Sequence, residues 1–154
     1  MTRKKWAYDD LVEGMVLDLG STVVTADEIV SFASEFDPQP MHLDEEAGRN
    51  SILGGLSASG WNTCAIFMRM LCDGFLLDST SQGSPGIDSV RWKRPVLAGD
   101  TLSGHVKILT KRTSKSRPNL GFVTMRAELG NQRGEIVFEL ENTGMFLTRE
   151  AAGQ

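Results

Sequence analysis

Two polar side chains, Asp37 and His42, stand five residues apart in a short stretch that also contains two prolines. Pro38 disfavours helical geometry at the residue before it, and Pro40 restricts the chain that follows, so we expect a stiff loop. A carboxylate and an imidazole held within reach of one water are suited to general acid–base catalysis. By residue type alone, an Asp-His pair in a loop is more often structural than catalytic.

The other reactive side chains are few, and their spacing matches no metal site. The second histidine, His105, falls out of phase with the apolar positions of its predicted strand, so we expect it at the surface. Cys64 and Cys72 are eight residues apart in a predicted helix, or roughly 12 Å, which is too far for a disulfide. We therefore expect reduced, buried thiols in a cytoplasmic protein, with no bound metal.

A glycine-rich stretch, 54–60, precedes the most apolar part of the chain. Its spacing matches no phosphate-binding loop, dinucleotide fingerprint or nucleophile elbow. A functional interpretation is that backbone near Gly55 and Ser59 approaches a ligand closely, with the Gly60 N–H at a helix start facing an anion or a carbonyl oxygen. A plain turn before a helix explains the same glycines.

The charge of the chain argues against two classes of partner. The formal net charge is −4, whereas a nucleic-acid protein usually shows an excess of positive charge. No run of 18 apolar residues predicts a membrane span, and residues 1–10 lack the apolar core of a signal peptide. Basic residues cluster at Arg91, Lys93 and Arg94 and again over 111–117. These clusters either attract a small anionic ligand or are solvated strand faces.

The pattern before Asp37 predicts a helix that begins at Thr25 and ends at the loop. Thr25 and Glu28 have the spacing of a capping box, and apolar residues then recur at helical intervals up to Phe36. Pro38 ends the helix. A short helical turn is expected over 43–47.

Arg69 is the only charge between Ser51 and Cys72, and the residues that follow the glycine-rich stretch predict a long helix that is apolar nearly all round. Such a helix must be buried. One apolar stripe is formed by Trp61, Cys64, Ala65, Met68, Leu71, Cys72 and Phe75, and the opposite side by Ile66, Phe67 and Met70.

The second half of the chain predicts strands. Apolar residues alternate with polar ones from Val90 to Val96, over 102–108, over 123–129 and over 136–140, with short turns between the runs. This is typical of an antiparallel meander. With 154 residues, we expect one α+β domain, with its core over about 8–148 and the sheet wrapped round the buried helix.

Three motifs in this order resemble those of the MaoC-like, (R)-specific enoyl-CoA hydratases. The run from Phe32 to Asp44 is similar to the family motif of Asp, any residue, Asn, Pro, an apolar residue and His. Ser59-Gly60 lies where the family has a His-Gly or Ser-Gly pair, with the glycine eighteen residues after His42. The run from Arg91 to Asp100 resembles the family's Arg-aromatic strand that ends in Pro-Val and is followed by Gly-Asp.

The resemblance implies a hot-dog fold and a homodimer, or a dimer of dimers, with acyl-CoA bound at the subunit interface. It implies reversible syn addition of water to a trans-2-enoyl-CoA, giving a (3R)-hydroxyacyl-CoA, with no cofactor besides the CoA thioester of the substrate. Asp37 and His42 would activate the water, and the Gly60 N–H would bind the thioester oxygen. The residues expected to contact substrate are Gln39, Gly55, Ser59, Arg91 and Arg94.

The motif departs from the family at two positions. Phe36 replaces the glycine that usually precedes the aspartate, and Gln39 replaces the usual asparagine. Two alternatives therefore stay open beside the hydratase. One is a thioesterase on the same fold, and the other is an acyl-CoA-binding protein without catalytic activity.

Overall fold

The fold is described by a computed structural model that covers residues 2–154. Four α-helices and five strands are formed in this part of the chain. The helices are α1 (Ala26–Phe36), α2 (Pro40–Leu43), α3 (Glu45–Arg49) and α4 (Gly60–Gly74). The strands are β1 (Val16–Val23), β2 (Ile87–Trp92), β3 (Thr101–Thr113), β4 (Leu120–Gly130) and β5 (Ile136–Leu147).

The strands form one antiparallel sheet in the order β1-β3-β4-β5-β2. The predicted alternation is confirmed, because buried and more exposed residues alternate along β3 and β4. Val106 pairs with Ala127, and Ala127 pairs with Leu140, so a continuous row of apolar side chains crosses three strands. This face of the sheet provides the surface on which the long helix packs.

Helix α4 lies on that surface through one face. Phe67 and Met70 are buried in the core, and the Phe67 ring lies 5.2 Å from the Phe138 ring between centroids. The opposite face is exposed in the single chain, where Trp61 retains 63% and Met68 45% of its accessible surface. One chain therefore covers only one face of α4, and periodicity alone could not tell which of the two apolar stripes meets the sheet.

One strand boundary and the thiols also differ from expectation. β2 ends at Trp92, so Val96 lies beyond it, buried, with its carbonyl oxygen accepting from the Ala58 N–H at 2.8 Å. Cys64 and Cys72 are free, as expected, but they are half-buried because they flank the exposed face of α4. None of the helices within residues 2–154 is long and apolar enough to cross a membrane.

The segment between α1 and α4 contains more helix than predicted. The capping box is confirmed, with Thr25 Oγ1 accepting from the Glu28 N–H at 3.2 Å and Glu28 Oε2 accepting from the Thr25 N–H at 3.0 Å. Pro40 is the first residue of α2, a position where proline fits a helix, so His42 lies in a helical turn rather than a loop. Asp44 then caps α3 through the Ala47 N–H, and two short helices replace the single predicted turn.

Candidate active site

Asp37 lies at the C-terminal end of α1, with its carboxylate held from two sides. Its backbone N–H donates to the Ala33 carbonyl at 3.0 Å, which closes the helix. Oδ2 accepts a hydrogen bond from Ser59 Oγ at 2.6 Å, and Oδ1 accepts one from Gln39 Nε2 at 2.7 Å. The carboxylate is therefore oriented before any ligand binds.

His42 is buried, and its ring is oriented by the chain that precedes α4. Nδ1 lies 2.7 Å from the Ser57 carbonyl oxygen, which can only accept, so Nδ1 carries the hydrogen in the neutral ring. Nε2 then points to Asp37, with 3.6 Å between Nε2 and Oδ2. That separation is longer than a direct hydrogen bond and is suited to two groups that share a water.

Hydrogen bonding lowers the pKa of Asp37 below its ordinary value. The hydroxyl of Ser59 contributes most, followed by the amide of Gln39, and both stabilise the ionised form. Partial burial opposes them, and a positive charge on His42 adds the smallest lowering. Asp37 is therefore a carboxylate at neutral pH.

Gly60 begins α4 beside this pair, under the indole of Trp92. A Cβ atom on Gly60 would lie 2.5 Å from the Trp92 ring, and Trp92 Nε1 donates to the Gly60 carbonyl at 2.8 Å. The first bond of α4 runs from the Thr63 N–H to the Ser59 carbonyl, so the Gly60 N–H has no acceptor inside the helix. A cavity of about 190 Å³ adjoins Gly60 and is also lined by His42 and Arg94.

The remaining predicted site residues are dispersed. Arg94 lines that cavity and forms an ion pair with Glu135 at 3.1 Å. Arg91 is exposed on β2 and does not line it. Gly55 lies against Gly48 of α3: a Cβ on Gly48 would meet the Gly55 carbonyl, so the missing side chain of Gly48 lets the two segments approach closely, whereas a Cβ on Gly55 would only contact Leu97.

His105 pairs with Glu128 at 3.2 Å on a partly exposed part of the sheet, close to the surface position predicted for it. Within residues 2–154, no three His, Cys, Asp or Glu side chains are grouped as a metal ion would require.

A second, larger cavity of about 820 Å³ lies between α1, β1 and α4; we call it the α1–α4 groove. Phe36 lines this groove, and its ring lies 5.0 Å from the Phe32 ring between centroids. The residue that replaces the usual glycine therefore forms part of a groove wall. Asp37 follows Phe36 directly, and His42 lines the smaller cavity, so the pair stands between the two.

Three contributors to the site carry little signal in the sequence. The shorter contact of Ser57 with His42 Nδ1, at 2.7 Å, is made by its backbone carbonyl, which any residue type provides; its hydroxyl lies 3.3 Å from the same nitrogen. Trp92 covers Gly60 from a distant strand, and only the strand pairing places it there. Asn62 lines the α1–α4 groove from α4, and a single amide in an apolar segment could have been noted as unusual.

Comparison with known proteins shows the family. The family model described as "MaoC like domain" matches residues 12–128, a range that contains all three sequence motifs. The Bacillus subtilis (strain 168) protein YdeM is 34% identical over 134 residues, which cover 86% of this chain and 93% of YdeM. The chain belongs to the MaoC-like domain family.

Solved structures show the fold of this MaoC-like domain. The MaoC-like dehydratase from Rhodospirillum rubrum is 39% identical, with a TM-score of 0.83 over 92% of this chain and 97% of that chain. The (R)-hydratase from A. caviae shares the fold at 23% identity, with a TM-score of 0.71 over 90% of this chain and 98% of that one. The predicted α+β hot-dog fold is confirmed.

Replacing Ser59 with alanine should raise the pKa of Asp37, because it removes the largest contribution that lowers it. In the parent, the folded pKa lies below the unfolded one. The carboxylate therefore stabilises the fold above the unfolded pKa, and this stabilisation is lost as the pH falls through the folded pKa. Carboxyl-carbon NMR titration of Asp37 measures the pKa, and denaturation at several acidic pH values should show a weaker pH dependence in the variant.

Ser34→Ala is the matched control, since Ser34 is exposed on α1 and its hydroxyl donates to the Val30 carbonyl instead. If the pKa of Asp37 is the same in Ser59→Ala as in the parent, the Ser59 hydroxyl is not what lowers it.

Proposed function

We propose that this MaoC-like domain catalyses reversible syn hydration of a trans-2-enoyl-CoA to a (3R)-hydroxyacyl-CoA. The observation that carries the proposal is the separation of 3.6 Å between Asp37 Oδ2 and His42 Nε2, two groups that are each oriented by other hydrogen bonds. Such a pair can hold one water on one face of a substrate. The family contains proteins described as dehydratases and (R)-hydratases, which supports the reaction class.

The hydrogen bonds that hold the two groups assign their roles. Asp37 already accepts from Ser59 and Gln39, which lowers its pKa, so it accepts a hydrogen bond from the water and fixes its position. His42 Nε2, with Nδ1–H bound to the Ser57 carbonyl, accepts the other proton as the water oxygen attacks C3. The double-bond electrons move to the thioester as an enolate, and His42 returns that proton to C2 from the same face.

The start of α4 provides the group that stabilises the enolate. The Gly60 N–H has no acceptor inside the helix, and it lies at the positive end of the helix dipole beside the cavity lined by His42. A preorganised donor of this kind is typically worth about 3 kcal/mol of transition-state stabilisation. Ser59 and Gln39 contact the substrate region through Asp37, which they orient.

The CoA moiety is expected at the opening of the smaller cavity. Arg94 lines that cavity and has a side chain that is 59% exposed, so its guanidinium is accessible to a phosphate. Arg91 is exposed on β2 outside this cavity, and Lys93, two residues further on, pairs with Glu139 at 3.6 Å. The contact of Gly55 with α3 supports the loop that carries Ser57 and Ser59.

Gln39 argues for an active enzyme over an inactive binder. Its amide donates to Asp37 Oδ1 at 2.7 Å, so the longer side chain still performs an orienting role at the carboxylate. Phe36 contributes to the α1–α4 groove.

A homodimer is part of the proposal, because one chain leaves two adjoining apolar features uncovered. The outer face of α4 presents Trp61, Ala65 and Met68 at helical spacing. β2 forms an edge of the sheet, with Trp92 46% exposed. A second copy would cover both, and an unprotected edge strand is a common site of pairing.

The reaction products separate the candidate activities. Hydration of hexenoyl-CoA should remove the enoyl absorbance without releasing a thiol, and chiral analysis should give the (3R) product. Thiol release at the rate of substrate loss would identify a thioesterase instead. No change in either signal over several chain lengths would favour the inactive acyl-CoA binder.

Asp37→Asn and His42→Asn should each lower the hydration rate by at least about 10²-fold, because each removes one of the two groups that hold and activate the water. His105→Asn is the matched control, since His105 lies on the sheet beside Glu128 and outside the site. Steady-state kinetics on folded variants provides the measurement. Undiminished turnover in either site variant would refute the assigned pair.

Light scattering at micromolar concentration should give the mass of a dimer. Met68→Glu should shift the mass to a monomer, because it places a charge in the centre of the outer α4 face. Val12→Glu is the control, since Val12 is also exposed, at 57%, but lies outside α4 and β2. A monomeric mass for the parent protein would contradict the shared interface.

A further inference from the structure

Asn62 is a buried polar side chain that the proposed reaction does not use. It is 5% exposed, and its Nδ2 has no hydrogen-bond partner within residues 2–154. Buried polar groups in folded proteins are nearly always paired, so an exception calls for a missing partner. Asn62 also lines the α1–α4 groove, and a partner can therefore come from a ligand in that groove.

The position of Asn62 connects it to the candidate active site. It lies one helical turn after Ser59, whose hydroxyl binds the carboxylate of Asp37, and residues three apart are neighbours on a helix surface. Ile66 and Met70 continue the same face of α4 along the groove. An acyl chain that extends from Asp37 and His42 into the groove would meet the Asn62 amide first and the apolar side chains next.

The charges around the groove limit what the amide can bind. The wall contains the apolar side chains Phe32, Phe36, Ile66 and Met70. The rim contains Asp27, Glu28, Glu35 and Asp73 with one cation, Arg69, which already pairs with Asp73 at 2.7 Å. A negatively charged group would be repelled by this rim, whereas an uncharged polar group would not.

We propose that the α1–α4 groove takes an acyl group with an uncharged oxygen, a hydroxyl or a carbonyl, a few bonds beyond C3, and that Asn62 recognises this oxygen. The inference rests on the proposed hydration and names its substrate class. Rotation of the Asn62 amide by half a turn exchanges its oxygen and its NH2 group, which have nearly the same shape. The amide can therefore present either a donor or an acceptor to the ligand. A plain hydrocarbon chain would leave the amide unpaired in an apolar wall.

Four substrates of equal chain length test the proposal on the full-length protein. They are trans-2-hexenoyl-CoA, its 5-hydroxy and 6-hydroxy derivatives, and 5-carboxy-trans-2-pentenoyl-CoA. At least one hydroxy substrate should exceed the plain chain in kcat/KM by about tenfold, as expected for one added hydrogen bond to a buried group. The carboxy substrate should be the poorest, because of the acidic rim.

Asn62→Leu should abolish this preference, so that the ratio of kcat/KM for the hydroxy substrate to kcat/KM for the plain chain falls to about 1. Replacement of an unpaired buried amide by an apolar side chain of similar size should not lower the melting temperature. Asn62→Ala serves if the leucine variant does not fold. Ser31→Ala is the matched control, because Ser31 is an exposed polar residue of the same groove, and it should leave the ratios unchanged.

The possible failures are distinguishable. The parent enzyme could hydrate the plain chain best, with a ratio of kcat/KM for hydroxy and plain substrates that is unchanged in Asn62→Leu. This result would overturn the role of Asn62 and leave the hydratase function intact. Preference for the carboxy substrate would contradict the proposal that the groove recognises an uncharged oxygen. A protein that hydrates none of the four overturns the proposed function, and the inference with it.

Discussion

The hydrogen bond from Ser59 Oγ to Asp37 Oδ2, at 2.6 Å, joins the end of α1 to the start of α4. Each helix is anchored elsewhere, α1 by its capping box and α4 by its packing on the sheet. The bond therefore connects a carboxylate on one rigid element to a hydroxyl on another. The ionisation state of Asp37, its distance from His42 and the position of the Gly60 N–H all depend on how these two ends meet.

This arrangement explains why a small fold can hold an oriented pair without a metal ligand set. Asp37 accepts one hydrogen bond from Gln39 of its own segment and one from Ser59 at the start of α4, and His42 donates one to the Ser57 carbonyl in the chain before α4. Groups held from two directions lose little freedom when a substrate binds. The same constraints leave 3.6 Å between the two reactive atoms, a gap that a direct ion pair would have closed.

Much of the fold and the identity of the Asp37–His42 pair could be predicted from the sequence, because side-chain type and local spacing determine them. The capping box at Thr25, the end of α1 before Pro38 and the alternation in β3 and β4 follow from side-chain type and spacing. The motif around Asp37 and His42 identified the pair that the fold brings together. The exposed face of α4 could not be predicted, since both stripes are apolar and only tertiary contacts distinguish them.

The remaining contacts of the site are tertiary contacts, which local sequence patterns do not predict. The Ser57 carbonyl orients His42 through the backbone, and Trp92 reaches Gly60 from a strand thirty-two residues away along the chain. Gln39 replaces the usual asparagine, and only the folded geometry shows that its longer amide still reaches Asp37 Oδ1, at 2.7 Å. These features depend on the geometry of several elements at once.

The packing of Trp92 over Gly60 has a spectroscopic consequence. Trp61 lies edge-on to Trp92, with 5.5 Å between ring centroids, while Trp6, the third tryptophan, lies beyond the far end of α4 near Ser79. Two of the three indoles are thus gathered at the start of α4, and in one chain both are partly exposed. Indole emission shifts with the polarity of its surroundings, so the intrinsic fluorescence of the protein is weighted toward this helix start and changes when a second copy or a ligand covers it, without an added label.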